Sequence, residues 1–262
     1  MKHFFSSIAL LFLCSLSLLS AQETDTKYHL IAHRGGIVDT KTPENSKEAL
    51  LRAIENNYWM VEVDMRLTKD GVLITHHDKN LQKYFNVDKN VADMTWDEIA
   101  LLKSDRGTSI QKLEDVFHLC QRTGMNIMID NKIKGYDKAV CEKIIDLLDT
   151  YNLRENALMI GTSATTDFFT GKVRLSCTRE QLETNMQGKD YDPDNYYYFG
   201  NPSAQDARWA KDNGIMIVGV INEWAIPKDK EETVVKEIVQ QLKTLNINHV
   251  QLDSKYDMYF KE

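Results

Sequence analysis

Cysteine is scarce in this chain and poorly placed for bridging. Of the four in 262 residues, Cys14 lies in the first apolar stretch. Cys120, Cys141 and Cys177 are widely spaced, and an odd count of that kind excludes a disulfide framework. No Cys/His spacing suits zinc, no glycine-rich loop suits a phosphate cradle, and there is no Gly-x-Ser-x-Gly elbow. Basic charge is also short: 32 Lys and Arg against 39 Asp and Glu give a net charge of −7. That argues against a general nucleic-acid binder, which needs a basic face to displace counterions. The 4 prolines and 12 glycines are scattered, with no low-complexity linker and no repeat. The longest apolar run, Phe4 to Leu19, is about 16 residues, where a membrane span needs about 20.

The start of the chain has the layout of a secretory signal peptide over 1–21. Met1-Lys2-His3 is basic, the apolar run follows, and Ser20-Ala21 precede an abrupt change to polar residues at Gln22. A secreted or periplasmic mature protein is therefore expected. Leu19 is larger than the usual residue three before a cut. Cys14 follows Leu13 and lies mid-run, which argues against a lipid anchor. The remaining 22–262 is a suitable length for one large domain, made one charge more negative by the loss of Lys2.

Strand-like apolar runs then alternate with amphipathic stretches. Strands are expected at 28–32, 59–64, 72–76, 126–130, 157–161, 173–176, 215–220 and 249–252, with 196–199 the weakest. Helices are expected at 45–56, 112–122, 138–151, 203–213 and 231–245. Asn45 is read as the cap of the first, with Glu48 completing a capping box. Gly124 and Gly214 are the stops of the second and fourth. Alternation of this kind means a parallel sheet covered by helices, and at this length a (β/α)8 TIM barrel. Nine candidate strands compete for eight places. If 72–76 is the third barrel strand, the six residues Arg66 to Gly71 must run back down the barrel, which at full extension they just span. The polar segment 79–111 is then an insertion after the third strand, with a short helix near Trp96–Leu102, placed to roof the site.

Three strand ends carry the chemistry: His33-Arg34-Gly35, Glu62-Val63-Asp64 and His77-Asp78. Unpaired charges are expensive core material, so their convergence at one end of a sheet would make an active site. Two histidines supply an acid and a base, and two carboxylates hold a divalent cation. Each piece alone has a plainer reading: a hydrogen-bonded histidine, a solvated strand edge, a turn at Lys69-Asp70-Gly71. His76 takes the structural role, since its side chain faces opposite to that of His77. The Tyr191–Tyr198 run reads as loop and strand packing. The functional reading rests on the conjunction.

The order His-Arg-Gly, Pro43-Glu44-Asn45-Ser46, Glu-x-Asp, Lys69-Asp70-Gly71 and His-Asp resembles the glycerophosphodiester phosphodiesterase family over Leu30 to Leu81. Weaker similarity follows at Leu113-Glu114-Asp115-Val116, Ile129-Asp130-Asn131-Lys132, Ile221-Asn222 and Leu252-Asp253. The resemblance implies a phosphodiesterase barrel with one divalent cation, Ca2+ or Mg2+, acting on a small glycerophosphodiester. It implies that His33 and His77 are the catalytic acid/base pair, that Glu62, Asp64 and Asp130 are metal ligands, and that Arg34, Glu44 and Lys132 contact substrate. Asp130 stands where the family generally has glutamate. Gly219 stands about where many relatives carry a tryptophan, removing an apolar wall for the alcohol, with Trp224 nearby as a substitute. Two other readings stay open: a phospholipase C- or D-like enzyme on intact phospholipid, disfavoured by the lack of a strong apolar docking stretch, and a phosphodiester-binding relative without turnover. Whether water or a glycerol hydroxyl is the nucleophile also stays open.

Overall fold

The computed structural model describes residues 27–261; the expected leader, its cleavage point and Cys14 lie outside them. In chain order the strands are β1 (His29–Ala32), β2 (Met60–Leu67), β3 (Leu73–Thr75), β4 (Asn80–Leu81), β5 (Val87–Asn90), β6 (Gln111–Lys112), β7 (Asn126–Asn131), β8 (Leu158–Ile160), β9 (Arg174–Cys177), β10 (Tyr196–Phe199), β11 (Met216–Ile221) and β12 (His249–Leu252). The helices are α1 (Lys47–Glu55), α2 (Gln82–Phe85), α3 (Trp96–Ala100), α4 (Leu113–Thr123), α5 (Lys138–Thr150), α6 (Thr166–Phe169), α7 (Arg179–Asn185), α8 (Ala204–Asp212) and α9 (Glu231–Thr244). Strands β1, β2 and β7 to β12 pair in parallel, and β1 pairs with both β2 and β12, which closes an eight-stranded barrel.

The alternation of side chains along each strand sorts the core into two layers. Leu30, Val61, Val63, Ile127, Ile129, Met159 and Leu175 point outward and pack under the helices. Ile31, Met60, Met128, Leu158, Tyr197 and Val218 point inward and fill the lumen. The helices supply the matching apolar faces, as in α5, which buries Cys141, Ile144, Ile145 and Leu148. Its first N–H groups are capped by the Asp137 carboxylate, and those of α8 by Ser203.

Two strand assignments change. Leu73–Thr75 is not a barrel strand but pairs antiparallel with Met65–Leu67, and β6 pairs antiparallel with it in turn. The residues after Arg66 therefore make a hairpin rather than a run back down the barrel: Gly71, at φ +79°, donates its N–H to Thr68 O. The third barrel strand is β7, so the insertion follows the second. The insertion has its own small core of Ile74, Leu81, Val91, Met94, Ile99 and Ile110, which is why 72–76 reads as buried. Tyr196–Phe199, the weakest candidate, is a full barrel strand.

At the floor of the barrel, the end where the strands begin, His29 and His249 are register partners on β1 and β12. Their rings stack at 4.7 Å, and Trp59 meets both edge-on. Burial, reinforced by His29 and Arg174, pushes His249 down to about 4. An unfolded chain takes up that proton near pH 6.5, so this group leaves stability unchanged above pH 6.5 and lowers it as pH falls toward 4. The loss is at most about 3 kcal/mol, and less for a partly exposed imidazole. Denaturant unfolding at pH 7.5 and pH 5 should show a smaller acid loss for His249→Gln than for the parent. An equal loss would mean that His249 does not titrate with folding.

Candidate active site

The upper mouth of the barrel, where the strands end, gathers the polar strand termini. Immediately after β1, Arg34 adopts a left-handed conformation (φ 53°, ψ 47°), which costs about 1–2 kcal/mol for a residue with a Cβ. This turns its backbone N–H onto Glu62 Oε2 at 2.7 Å. Gly35 is required beside it: at φ +84°, a Cβ there would lie 2.6 Å from Asn45 Cα. The guanidinium donates to Glu44 Oε2 at 2.8 Å and approaches His77 Nε2 at 3.3 Å. Its Nε is buried without a hydrogen-bond partner. Lys83, from the insertion, reaches the other Glu44 oxygen at 3.4 Å.

The two histidines are held alike. His33 Nδ1 lies 2.7 Å from Asp253 Oδ1, and His77 Nδ1 lies 2.8 Å from Asp78 Oδ1. A carboxylate at Nδ1 favours a proton there, which leaves Nε2 turned to the site. His33 Nε2 is 4.0 Å from Glu62 Oε2. Burial pushes the Asp253 carboxyl up, but its bonds to His33 and to the Glu223 N–H outweigh this and hold it below its usual value. His76, on the other side of the strand, is buried and bonded to Asn80 O at 3.0 Å.

Glu62, Asp64 and Asp130 offer one oxygen each within 4.8 Å of one another, because Asp64 and Asp130 are register partners on adjacent strands. Burial first, then the charges of Asp64 and Asp130, raise Glu62 well above the usual carboxylate range. Burial likewise raises Asp130. Lys132 Nζ is 2.5 Å from Asp130 and 3.4 Å from Asp64. Burial pulls the lysine down, but the neighbouring carboxylates outweigh it and leave its pKa raised. One ammonium against three crowded, mostly buried carboxylates leaves an excess of negative charge, and an all-oxygen donor set of this kind fits a hard divalent cation.

All eight residues expected from the sequence (His33, Arg34, Glu44, Glu62, Asp64, His77, Asp130 and Lys132) thus border one mouth. Two site residues escaped the sequence reading. Asp253, 220 positions from His33, had only a family-like position to mark it. Asn45 is not the helix cap: Ser46 caps α1 by accepting from Ala49 N–H. Asn45 instead sits at φ +55°, donates its amide to Asp64 Oδ2 at 2.8 Å and accepts from the Asp64 N–H at 3.1 Å. Gly219 is also corrected. A Cβ there would run into Leu242 of α9, so the position faces the helices and forms no wall of the site. Trp224 stands in the turn after β11, 72% exposed.

Barrel and mouth together define a protein of the phosphodiesterase-barrel class. The model of the glycerophosphoryl diester phosphodiesterase family matches residues 33–249, and the chain belongs to that family. A glycerophosphodiester phosphodiesterase of Caldanaerobacter subterraneus is 34% identical over 140 residues, which are 50% of this chain and 56% of that protein. Human lysophospholipase D GDPD3 is 27% identical over 167 residues, 58% of this chain and 50% of that one. The chain spans about half the length of the curated relatives it matches. Among solved structures, a glycerophosphoryl diester phosphodiesterase from Parabacteroides distasonis superposes with a TM-score of 0.70 at 20% identity, over 91% of this chain and 88% of that one. An Oleispira antarctica phosphodiesterase in complex with the product sn-glycerol-3-phosphate gives 0.67 at 16% identity, over 89% and 97%. These likenesses show the fold.

Proposed function

We propose that the chain is a metal-dependent phosphodiesterase that hydrolyses small glycerophosphodiesters to glycerol 3-phosphate and an alcohol. The observation that carries this reading is the placing of a crowded carboxylate triad between two carboxylate-backed histidines. Glu62, Asp64 and Asp130 would hold Ca2+ or Mg2+, which lowers the charge on a phosphodiester and eases loss of a proton from the attacking oxygen. Arg34 and Lys132 bind the phosphate oxygens; Arg34 Nε, buried without a partner, is a donor for one of them. Glu44 accepts from Arg34, which holds the guanidinium toward the phosphate, and would take a glycerol hydroxyl as a further donor. Of the two imidazoles, one takes the nucleophile's proton at Nε2 and the other gives a proton from Nε2 to the departing alkoxide. The Asp253 and Asp78 carboxylates orient the rings and stabilise whichever is charged. The attacking oxygen is water or the adjacent glycerol hydroxyl; the second route expels the alcohol to leave a cyclic phosphate, which water then opens to glycerol 3-phosphate. The product complex of the Oleispira antarctica relative agrees with the substrate class. Among the described residues no helix is long and apolar enough to cross a membrane.

The test is release of glycerol 3-phosphate from glycerophosphocholine, glycerophosphoethanolamine and glycerophosphoinositol, with chelator and after restoring Ca2+ or Mg2+. Hydrolysis that chelator abolishes and metal restores is the expected result. No hydrolysis of any ester with either metal would overturn the reading.

A further inference from the structure

The catalytic groups crowd one half of the mouth. They stand at the ends of β1, β2, β7 and β12 and on the loop after β3. The half built by β8 to β11 is chemically different. Its inward positions near the top are Ile160, Phe199 and Val220, each partly exposed. Ile160 and Phe199 pack on the lumen cluster that contains Leu158 and Tyr197. That cluster closes the barrel beneath them, so the surface they expose faces the mouth. Between β8 and β10, strand β9 contributes the small, partly exposed side chain of Ser176. Tyr197 meets Phe199 at 81° with centroids 5.8 Å apart, so the rings do not stack and one Phe199 face is left uncovered by Tyr197.

We infer that this half of the mouth is the subsite for the departing alcohol and that it selects choline. The inference rests on the phosphodiesterase reading above. A quaternary ammonium group carries a full charge behind methyl groups and has no N–H to satisfy. Against Ile160, Val220 and the face of Phe199 it loses no hydrogen bond and gains a cation–π contact. Ethanolamine brings an ammonium with three N–H donors, and inositol brings a ring of hydroxyls. The three apolar side chains offer no acceptor, and Ser176 Oγ with the Asn222 amide oxygen, buried without a partner just after β11, can pair with only part of an ammonium's three donors or an inositol's hydroxyls, so each of these alcohols would enter with polar groups unpaired, the situation that sites reject most strongly.

Two measurements test this. The first compares kcat/KM on glycerophosphocholine, glycerophosphoethanolamine and glycerophosphoinositol for the parent chain, Phe199→Ala and Phe199→Leu; the leucine variant keeps most of the volume should alanine fail to fold. The parent should prefer the choline ester to the inositol ester by about tenfold or more, and loss of the ring should cut that choline-to-inositol ratio by about tenfold, the worth of a desolvated cation–π contact. Equal constants for the three esters, or a ratio unmoved by either substitution, overturn the assignment. The second needs no turnover: saturation transfer from protein to the methyl protons of choline chloride by NMR. Transfer to the parent that weakens in Phe199→Leu supports the subsite even if no ester is hydrolysed, in which case the phosphodiesterase reading alone falls. No transfer to the parent overturns the subsite while leaving that reading intact.

Discussion

Replacing either His33 or His77 by alanine is expected to lower turnover by about 10²–10⁴-fold, the worth of a positioned acid or base. Each ring is fixed through Nδ1 to a carboxylate, at 2.7 Å for His33 and 2.8 Å for His77, so each presents Nε2 to the same mouth. Both rings are partly exposed there and fill no part of the lumen cluster, so thermal denaturation should shift little. His76→Ala is the opposite case. That ring is 5% exposed, bonded to Asn80 O and packed toward Phe85. Its loss should lower the melting temperature more than the other two and turnover by less than about tenfold, because it removes packing and a buried hydrogen bond but no proton donor or acceptor. Steady-state kinetics on glycerophosphodiesters, with a melting curve for each variant, separate the cases. Turnover near that of the parent in His33→Ala or His77→Ala would remove that residue from the proton-transfer pair.

Much of this site is legible in the chain because its chemistry sits at strand ends. The barrel follows from apolar runs alternating with amphipathic ones, and Glu62 and Asp64 share a face because a strand repeats every two residues. The reading breaks down where burial has a second cause. Val72 to His76 is as apolar as a barrel strand, but what buries Ile74 is the insertion's own cluster with Leu81 and Ile99; periodicity reports that a run is covered, not by which sheet. Tyr196–Phe199 looks weak because tyrosines suit loops as well as strands, yet Tyr197 is wholly buried in the lumen. Asn45 and Ser46 are adjacent, and both suit a helix cap. Only the third dimension shows that Ser46 takes the cap while Asn45 turns back to hold Asp64. Asp253 is beyond any local pattern, since its partner His33 lies at the other end of the chain and meets it only because the closing strand β12 lies beside β1.

Removing the cation should abolish activity, and the most informative substitution behind that result is at Asp130. Its carboxylate is the least buried of the triad and the one closest to Lys132, at 2.5 Å. Lysine and metal would therefore compete for the same oxygens, and metal binding would require the ammonium to give up part of its hold. Asp130→Asn keeps the size and removes one charge. If Asp130 is a direct ligand, Ca2+ or Mg2+ affinity measured by calorimetric titration should fall by more than the roughly 10–100-fold seen when only an outer-shell partner of a ligand is lost, and excess metal should partly restore turnover; a smaller fall would mean that Asp130 holds a metal-bound water. Asp130→Glu adds one methylene and restores the residue usual in the family. Lys132 and Asp64 already crowd the oxygen, so a longer arm must displace the ammonium or enter the space between the carboxylates. Lower activity with weaker metal binding would mean that the cavity is fitted to aspartate; equal or higher activity would mean that it has room for glutamate. If Asp130→Asn titrates with metal as the parent does, Asp130 lies outside the coordination sphere. The cation would then rest on Glu62 and Asp64, with Asp130 serving to hold Lys132 against the phosphate.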